Sequence, residues 1–394
     1  MLIYSSWFGD LGGGELRMLD YIRHSRIPRS RMTAIVQAPG ELRTALSKEN
    51  VESVLIRWKG DGGWASRQAC WYKGMLGVRR FLRRYPDAVV LCNTFHDLET
   101  VGRVARRLRM PVIWRARADT FTHAHRWPAA RLSELVNFLN QEVARIIPTT
   151  NYEAQLMTEA GVDPSKIRVI HNGVDLSRFD DRAAGQHLRE QLRIDDSVPV
   201  ISFVARMVPQ KGYEVLLHAL AELRAAGYPF KALVAGDTTL LEGGGDAYRA
   251  QIANLVDRLA LQDSVLLLGA RKDVPAIMNA SDVFVLASLK EPFGTTVIEA
   301  MAAAKPVVCS DLPGPRESAV EGDTAYFFPA GDSLALQAAL TRILEVPDTA
   351  REMGRRGRLR AEKLFSMDAY IAAMDEECIA AMKHIDLGVE AEAC

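Results

Sequence analysis

Three short stretches of this chain hold residue types and spacings suited to chemistry on a phosphorylated ligand. The densest is Leu286–Pro315, LASLKEPFGTTVIEAMAAAKPVVCSDLPGP. Its pattern predicts a strand ending near Ser288, a loop through Pro292 and Gly294, and a helix from Thr295 to about Ala304. The first-turn N–H groups of such a helix lack intrahelical partners, and together with the helix dipole they form an anion site suited to phosphate. Glu291 precedes the loop and Glu299 lies one turn into the helix, so both carboxylates can reach one ligand. A carboxylate accepts two hydrogen bonds at once, which suits sugar or ribose hydroxyls. A capped helix with two solvated glutamates is the plainer reading of the same residues.

The second stretch, Arg206-Met-Val-Pro-Gln-Lys211-Gly212, follows the apolar run Val200–Val204. Two cations on a strand-end loop can neutralise a diphosphate without a metal. The chain has no D-x-D, so neither a carboxylate-held Mg²⁺ or Mn²⁺ nor any other cofactor is expected. The third stretch is Gly12-Gly13-Gly14-Glu15, in the first strand-to-helix turn. It would let a ligand approach the backbone closely. It lacks the G-x-G-x-x-G spacing and reads equally as a tight turn.

Something must position these loops. Short apolar, β-rich runs alternate with longer helical patterns: Leu2–Ser5, Thr33–Gln37, Ala88–Cys92, Val112–Trp114 and Arg145–Pro148, then Val200–Val204, Lys231–Gly236, Ser264–Leu268, Val283–Ala287 and Pro306–Cys309. Continuous apolar strands between helices indicate parallel sheets covered on both faces. Two such series predict an α/β chain of two Rossmann-like, doubly wound domains, with ligands bound at strand carboxyl ends in the cleft between them. The polar stretch Asp180–Asp196 marks the expected boundary: residues 1–180, residues 181–365, and a helical tail over 366–394 that packs back on the first domain.

The 394 residues carry 49 Lys+Arg and 49 Asp+Glu. That neutrality hides an asymmetry. Residues 1–180 hold 27 Lys/Arg against 18 Asp/Glu, a net +9, and residues 181–394 hold 22 against 31, a net −9. The acidic half would repel nucleic-acid phosphates, and no recognised nucleic-acid-binding module occurs. Five widely spaced cysteines without a C-x-x-C pair argue against a disulfide framework or zinc site. The first residues do not form a signal peptide, and no run approaches the roughly 18–20 apolar residues of a membrane span. A cytoplasmic protein, free or peripheral on the inner membrane face, is expected; nothing in the sequence sets its oligomeric state.

In order along nearly the whole chain, Gly13-Gly14-Glu15, His171-Asn172-Gly173-Val174-Asp175, Arg206 with Lys211-Gly212, Gly236-Asp237, Leu268-Gly269 and the E-x7-E element Glu291–Glu299 resemble the landmarks of family 4 glycosyltransferases. The resemblance implies the GT-B fold and retaining transfer of a hexose from a UDP- or GDP-sugar to a saccharide or lipid-linked acceptor, in polysaccharide or glycolipid biosynthesis. Carried over by position, Arg206 and Lys211 would grip the donor diphosphate and Glu299 the ribose. Gly294, Thr295 and Thr296 would add backbone contacts, with Gly13 and Gly14 approaching from the other domain. Glu291 and Phe293 would address the transferred sugar, and Gly269–Val274, with Arg271, would cradle the base. The family retains configuration by same-face attack without an obvious protein nucleophile.

The chain departs from the family pattern in three places. Family members often carry P-V-x-x-T-x-H, whereas Pro111–Arg117 places Arg117 where the histidine would fall, so His96, His123 or His125 is a possible substitute. Ala304 replaces a usual glycine, and Ala325–Phe328 replaces a Gly-Leu-Leu-Val-like run. On the basic side, Lys73–Tyr85 sets Met75, Val78, Leu82 and Tyr85 along one helical stripe, with Arg79, Arg80, Arg83 and Arg84 largely opposite. Such a helix suits an anionic acceptor or membrane surface, although an ordinary helix with a solvated face has the same pattern. Arg57–Tyr72, with three tryptophans among glycines, reads as a mobile loop near the acceptor mouth. Two alternatives share these residues: a nucleotide-sugar epimerase of the same fold, and a nucleotide-sugar-binding protein without turnover.

Overall fold

Twelve parallel strands form two separate six-stranded sheets in the computed structural model, which describes residues 1–58, 64–117, 120–122, 127–238 and 244–392. The chain divides into two units, Met1–Asn172 with Asp368–Cys394, and Gly173–Met367. Unit 1 contains β1 (Leu2–Ser6), β2 (Met32–Val36), β3 (Glu52–Leu55), β4 (Val89–Cys92), β5 (Val112–Ala116) and β6 (Arg145–Pro148), in the order β3-β2-β1-β4-β5-β6. Unit 2 contains β7 (Val200–Val204), β8 (Lys231–Ala235), β9 (Val265–Gly269), β10 (Val283–Leu286), β11 (Val307–Ser310) and β12 (Ala325–Phe328), in the order β12-β11-β10-β7-β8-β9. Runs such as Val89–Cys92 and Val283–Leu286 are buried throughout, as strands covered on both faces must be.

Each unit winds outward from its first strand, then starts again on the other side. The reversals fall between β1 and β4 and between β7 and β10, where open α/β sheets leave a crevice at the strand carboxyl ends. This is the doubly wound architecture expected from sequence, twice over. The two strands not foreseen, β3 and β12, are both sheet edges. An edge strand pairs on one side only; β3 is largely half-buried and begins with an exposed glutamate, so it leaves little apolar pattern to read.

Six helices matter below: α1 (Gly13–His24), α2 (Trp64–Leu82), α3 (Tyr213–Ala225), α4 (Thr295–Ala302), α5 (Pro313–Ser318) and α6 (Met367–Glu392). On α2, Val78 and Leu82 are fully buried while Arg79 and Arg80 are exposed, which matches the expected stripe. The mobile-loop reading of Arg57–Tyr72 is corrected over its second half, which is helical from Trp64 onward. The unit boundary also falls earlier than expected, after Asn172 instead of at 180. Val174 N–H bonds to Phe365 O (2.8 Å), and Val174 and Phe179 pack into the core with Ile298 and Met301, which ties 173–180 to unit 2.

Most of α6 belongs to unit 1. Its fully buried Asp375 accepts hydrogen bonds from Tyr21 Oη (2.9 Å), Ser25 Oγ and the Arg26 main chain (2.8 Å), and Glu377 pairs with Arg145 and Arg168. Among the described residues, no helix is long and apolar enough to cross a membrane.

Candidate functional site

The switch point of unit 2 is flanked by the loops singled out from sequence. β7 runs out at Val204 into Arg206 and the short turn Pro209–Lys211; β10 runs out at Leu286 into Glu291–Gly294 and α4. Lys211 Nζ donates to Glu291 Oε2 at 2.7 Å, and both side chains are mostly shielded. Ser288 Oγ donates to the same oxygen (3.2 Å), and Gly294 N–H donates to Oε1 (3.2 Å). Glu291 is therefore held by three donors at the head of α4. Ammonium carries three donors, so Lys211 keeps capacity for an anion while bound to Glu291. Arg206 is exposed on the β7 loop. The N-cap of α4 is Gly294, which has a left-handed φ of +86° and no side chain of its own to cap the helix.

Two glycines permit this convergence. Gly212 has φ +73°, and a Cβ there would fall inside the Ala287 carbonyl, so only glycine lets the Lys211 turn lie directly on the end of β10. Leu289 N–H bonds to Gln210 O (2.8 Å) across the same junction. Gly314, in the first turn of α5, lies against the other side of the Glu291 loop. A Cβ there would stand 2.5 Å from the Pro292 carbonyl carbon and 2.6 Å from Glu291 O. Gly314 and Ser288 were not singled out from sequence. Gly314 lies in P-G-P, which reads as an ordinary turn, and nothing local reveals that its neighbour is 23 residues upstream.

The other donor-side residues occupy three settings. Thr295, Thr296 and Glu299 are half-buried on the first turns of α4. Gly269 closes β9, where its carbonyl accepts Gly236 N–H (2.8 Å). Arg271 forms a bidentate pair with Asp273, just before Val274 opens a helix. That hydrogen bonding raises the arginine and lowers the carboxyl from their ordinary values. The Phe293 ring is buried (2% exposed) and packs edge-on to Phe365 at 5.8 Å, so the ring fills the core and only the main chain of this residue is placed to meet a sugar.

In unit 1 the corresponding switch point gathers Gly12–Glu15 after β1, Asn93–Asp97 after β4 and Arg117 after β5. Arg117 Nη1 donates to Gly14 O (2.8 Å), and Nη2 reaches Tyr4 Oη (3.4 Å). Glu15 accepts from Ser6 Oγ (2.9 Å); burial raises its carboxyl, while Ser6, the Glu15 and Gly12 main chain and Arg117 pull it back. The carboxylate thus helps to satisfy the start of its own helix. Asp97 is fully buried and accepts from Ser5 (2.7 Å), Gln37 (2.6 Å) and Thr94 (2.7 Å). Its carboxyl is pushed up by burial to about 6. Sequence reading missed this network because its members lie on three different strand ends.

His96 is exposed and stacks on Trp7 at 5.0 Å, on the same end of the sheet as Arg117. His123 and His125 lie outside the described residues. Arg80 and Arg84 are corrected: they are not part of this cluster. They lie at and beyond the C-terminal end of α2, which leads into the start of β4 at Val89 and so toward the amino edge of the sheet. Among the described residues, no three His, Cys, Asp or Glu side chains are grouped to hold a metal ion.

Residues 20–178 match the model of Glycosyltransferase Family 4, and residues 186–360 match that of glycosyl transferases group 1. The chain belongs to the family 4 glycosyltransferases. A D-inositol 3-phosphate glycosyltransferase of Segniliparus rotundus is 32% identical over 233 residues, 58% of this chain and 50% of that protein. The chain thus spans about half the length of that curated relative. Solved structures that share the fold of this chain include the following two. Anabaena HepE in complex with UDP has a TM-score of 0.82 at 22% identity, covering 96% of this chain and 99% of HepE. Sucrose-phosphate synthase of Thermosynechococcus elongatus has a TM-score of 0.75 at 21% identity, covering 95% and 97%.

Proposed function

We propose that this glycosyltransferase moves a hexose from a UDP-sugar to a phosphorylated or lipid-linked saccharide acceptor, with retention of anomeric configuration. The observation that carries the reading is the junction of the β7 and β10 loops, where Arg206, Lys211, Glu291 and the head of α4 gather at one switch point. Departure of a nucleoside diphosphate builds negative charge, and fixed cations aimed at that charge lower the barrier without a metal. Glu291, held by three donors, is pre-organised to accept hydroxyls of the sugar, and Glu299 those of the ribose. HepE, bound to UDP and to UDP-glucose in its own structures, favours uracil over guanine for the base.

The acceptor side rests on unit 1. Arg117 stands at the strand carboxyl ends, where an anionic group would meet a cation in place of the family histidine. Trp71, Tyr72 and Leu76 are exposed on α2 beside Lys73, an apolar and basic surface suited to a lipid-linked acceptor. The test is to incubate the enzyme with UDP-hexoses, with and without phosphorylated acceptors, and to determine product configuration by NMR. Retained configuration and an acceptor KM that rises with salt support the reading. An inverted product, or an isomerised sugar formed from donor alone, refutes it; the latter would point to an epimerase.

A further inference from the structure

Arg115 lies within β5 among the apolar, buried residues Ile113, Trp114 and Ala116, and is itself fully buried. A desolvated cation is costly to hold in a core, and an apolar side chain would serve the sheet as well. Among the described residues, no carboxylate is one of its hydrogen-bond partners. Nη1 donates to Ile147 O (3.0 Å) and Pro148 O (3.2 Å), at the end of β6. Nη2 donates to Ile170 O (2.8 Å) and Asn172 Oδ1 (3.2 Å), and the guanidinium lies 5.8 Å from the centre of the Tyr370 ring.

Those partners coincide with the two places where the chain passes between units. Asn172 is the last residue of unit 1 on the outgoing connector, and Tyr370 is the third residue after the chain returns at Asp368. Within unit 2 the same connectors bond to each other: Val174 N–H to Phe365 O (2.8 Å), and Met367 N–H to Val174 O (3.0 Å). Each connector therefore has an anchor on either side of its crossing, only a few residues apart. The planar fork of an arginine suits this task, because it can hold acceptors on two segments in one fixed geometry.

We infer that Arg115 is a positioning residue for transfer: it pins both connectors to the β5–β6 end of unit 1, so that main-chain freedom at the two crossings is confined to Asn172–Val174 and Met367–Tyr370. This rests on the proposal that donor is bound by unit 2 residues and that transfer also needs those of unit 1. Two variants test it. Asn172→Ala removes one acceptor and leaves Arg115 its main-chain partners; Arg115→Lys keeps the charge and loses the fork. Hydrogen exchange of the two segments, UDP-sugar Kd, kcat and thermal midpoint are measured for each.

The expected result is faster exchange in both segments, with kcat reduced by about tenfold or more, as misplacement of reacting groups predicts. Donor Kd and midpoint stay near those of the unsubstituted enzyme. Unchanged exchange, unchanged kcat, or losses of Kd and kcat that simply follow a fallen midpoint overturn the inference. If the unsubstituted enzyme binds no UDP-sugar, the functional reading fails, and the exchange rates alone decide the role of Arg115.

Discussion

Replacing Gly314 by alanine should disable transfer from a position that touches no ligand. The new Cβ would stand 2.5 Å from the Pro292 carbonyl carbon and 2.6 Å from Glu291 O, where ordinary contact begins at 3.4 Å. The Glu291 loop or α5 must therefore yield by about 0.9 Å, and both neighbours are backbone that cannot swing aside. Overpacking of this kind costs about 1–3 kcal/mol. For a unit of this size each kcal/mol lowers the midpoint by about 2–4 °C. The larger effect is on geometry. Glu291 sits 2.7 Å from Lys211, and a displacement near 1 Å takes that pair out of hydrogen-bond range. Misplacement by about 1 Å can cost about 100-fold in rate. The assay is UDP release from UDP-hexose in the presence of acceptor, run beside a thermal melt. The expectation is a kcat about 100-fold lower in a protein that remains folded at the assay temperature. A kcat within threefold of the parent would show that the α5 contact does not set Glu291, and the reasoning would fail.

Other expectations follow from single sites. Gly13→Ala has open space around its new methyl and sits at the first turn of α1, so stability should hold or rise by a few tenths of a kcal/mol; if a ligand approaches there, donor KM should rise with the melt unchanged. Asp97 has its carboxyl pushed up from 3.8 to about 6, which corresponds to about 3 kcal/mol favouring the protonated folded form. That stabilisation is full below about pH 4 and lost as pH rises through about 6, so Asp97→Asn should flatten stability across this window in denaturant melts. EDTA should leave kcat within about twofold, because fixed cations and not a carboxylate-held ion are proposed to meet the leaving diphosphate.

The elements legible in the sequence were those whose environment is local. Buried central strands such as Val89–Cys92 and Val283–Leu286 advertise themselves by continuous apolar runs. The loops that carry Arg206, Lys211 and Glu291 stand out in sequence because cations, proline, glycine and carboxylates cluster within a few residues, and the fold brings Lys211 and Glu291 together at a switch point. Legibility ended where meaning comes from distant neighbours. Phe293 sits beside Glu291 in sequence, yet its ring turns into the core against Phe365, 72 residues away. Arg84 looked like acceptor-side charge until the direction of α2 carried it to the opposite edge of the sheet. Arg115 and Gly314 carry no local signature at all; their roles come from Ile170, Asn172 and Glu291, which no spacing rule connects to them.

Whether UDP binds through the β7 loop decides the proposed donor site. In a thermal melt, UDP at 100 times its Kd should stabilise the parent enzyme by about 2.7 kcal/mol. A clear upward shift of the parent midpoint is expected, with its near-complete loss in Arg206→Ala at the same UDP concentration. An equal shift in parent and variant, or none in the parent, would contradict that site.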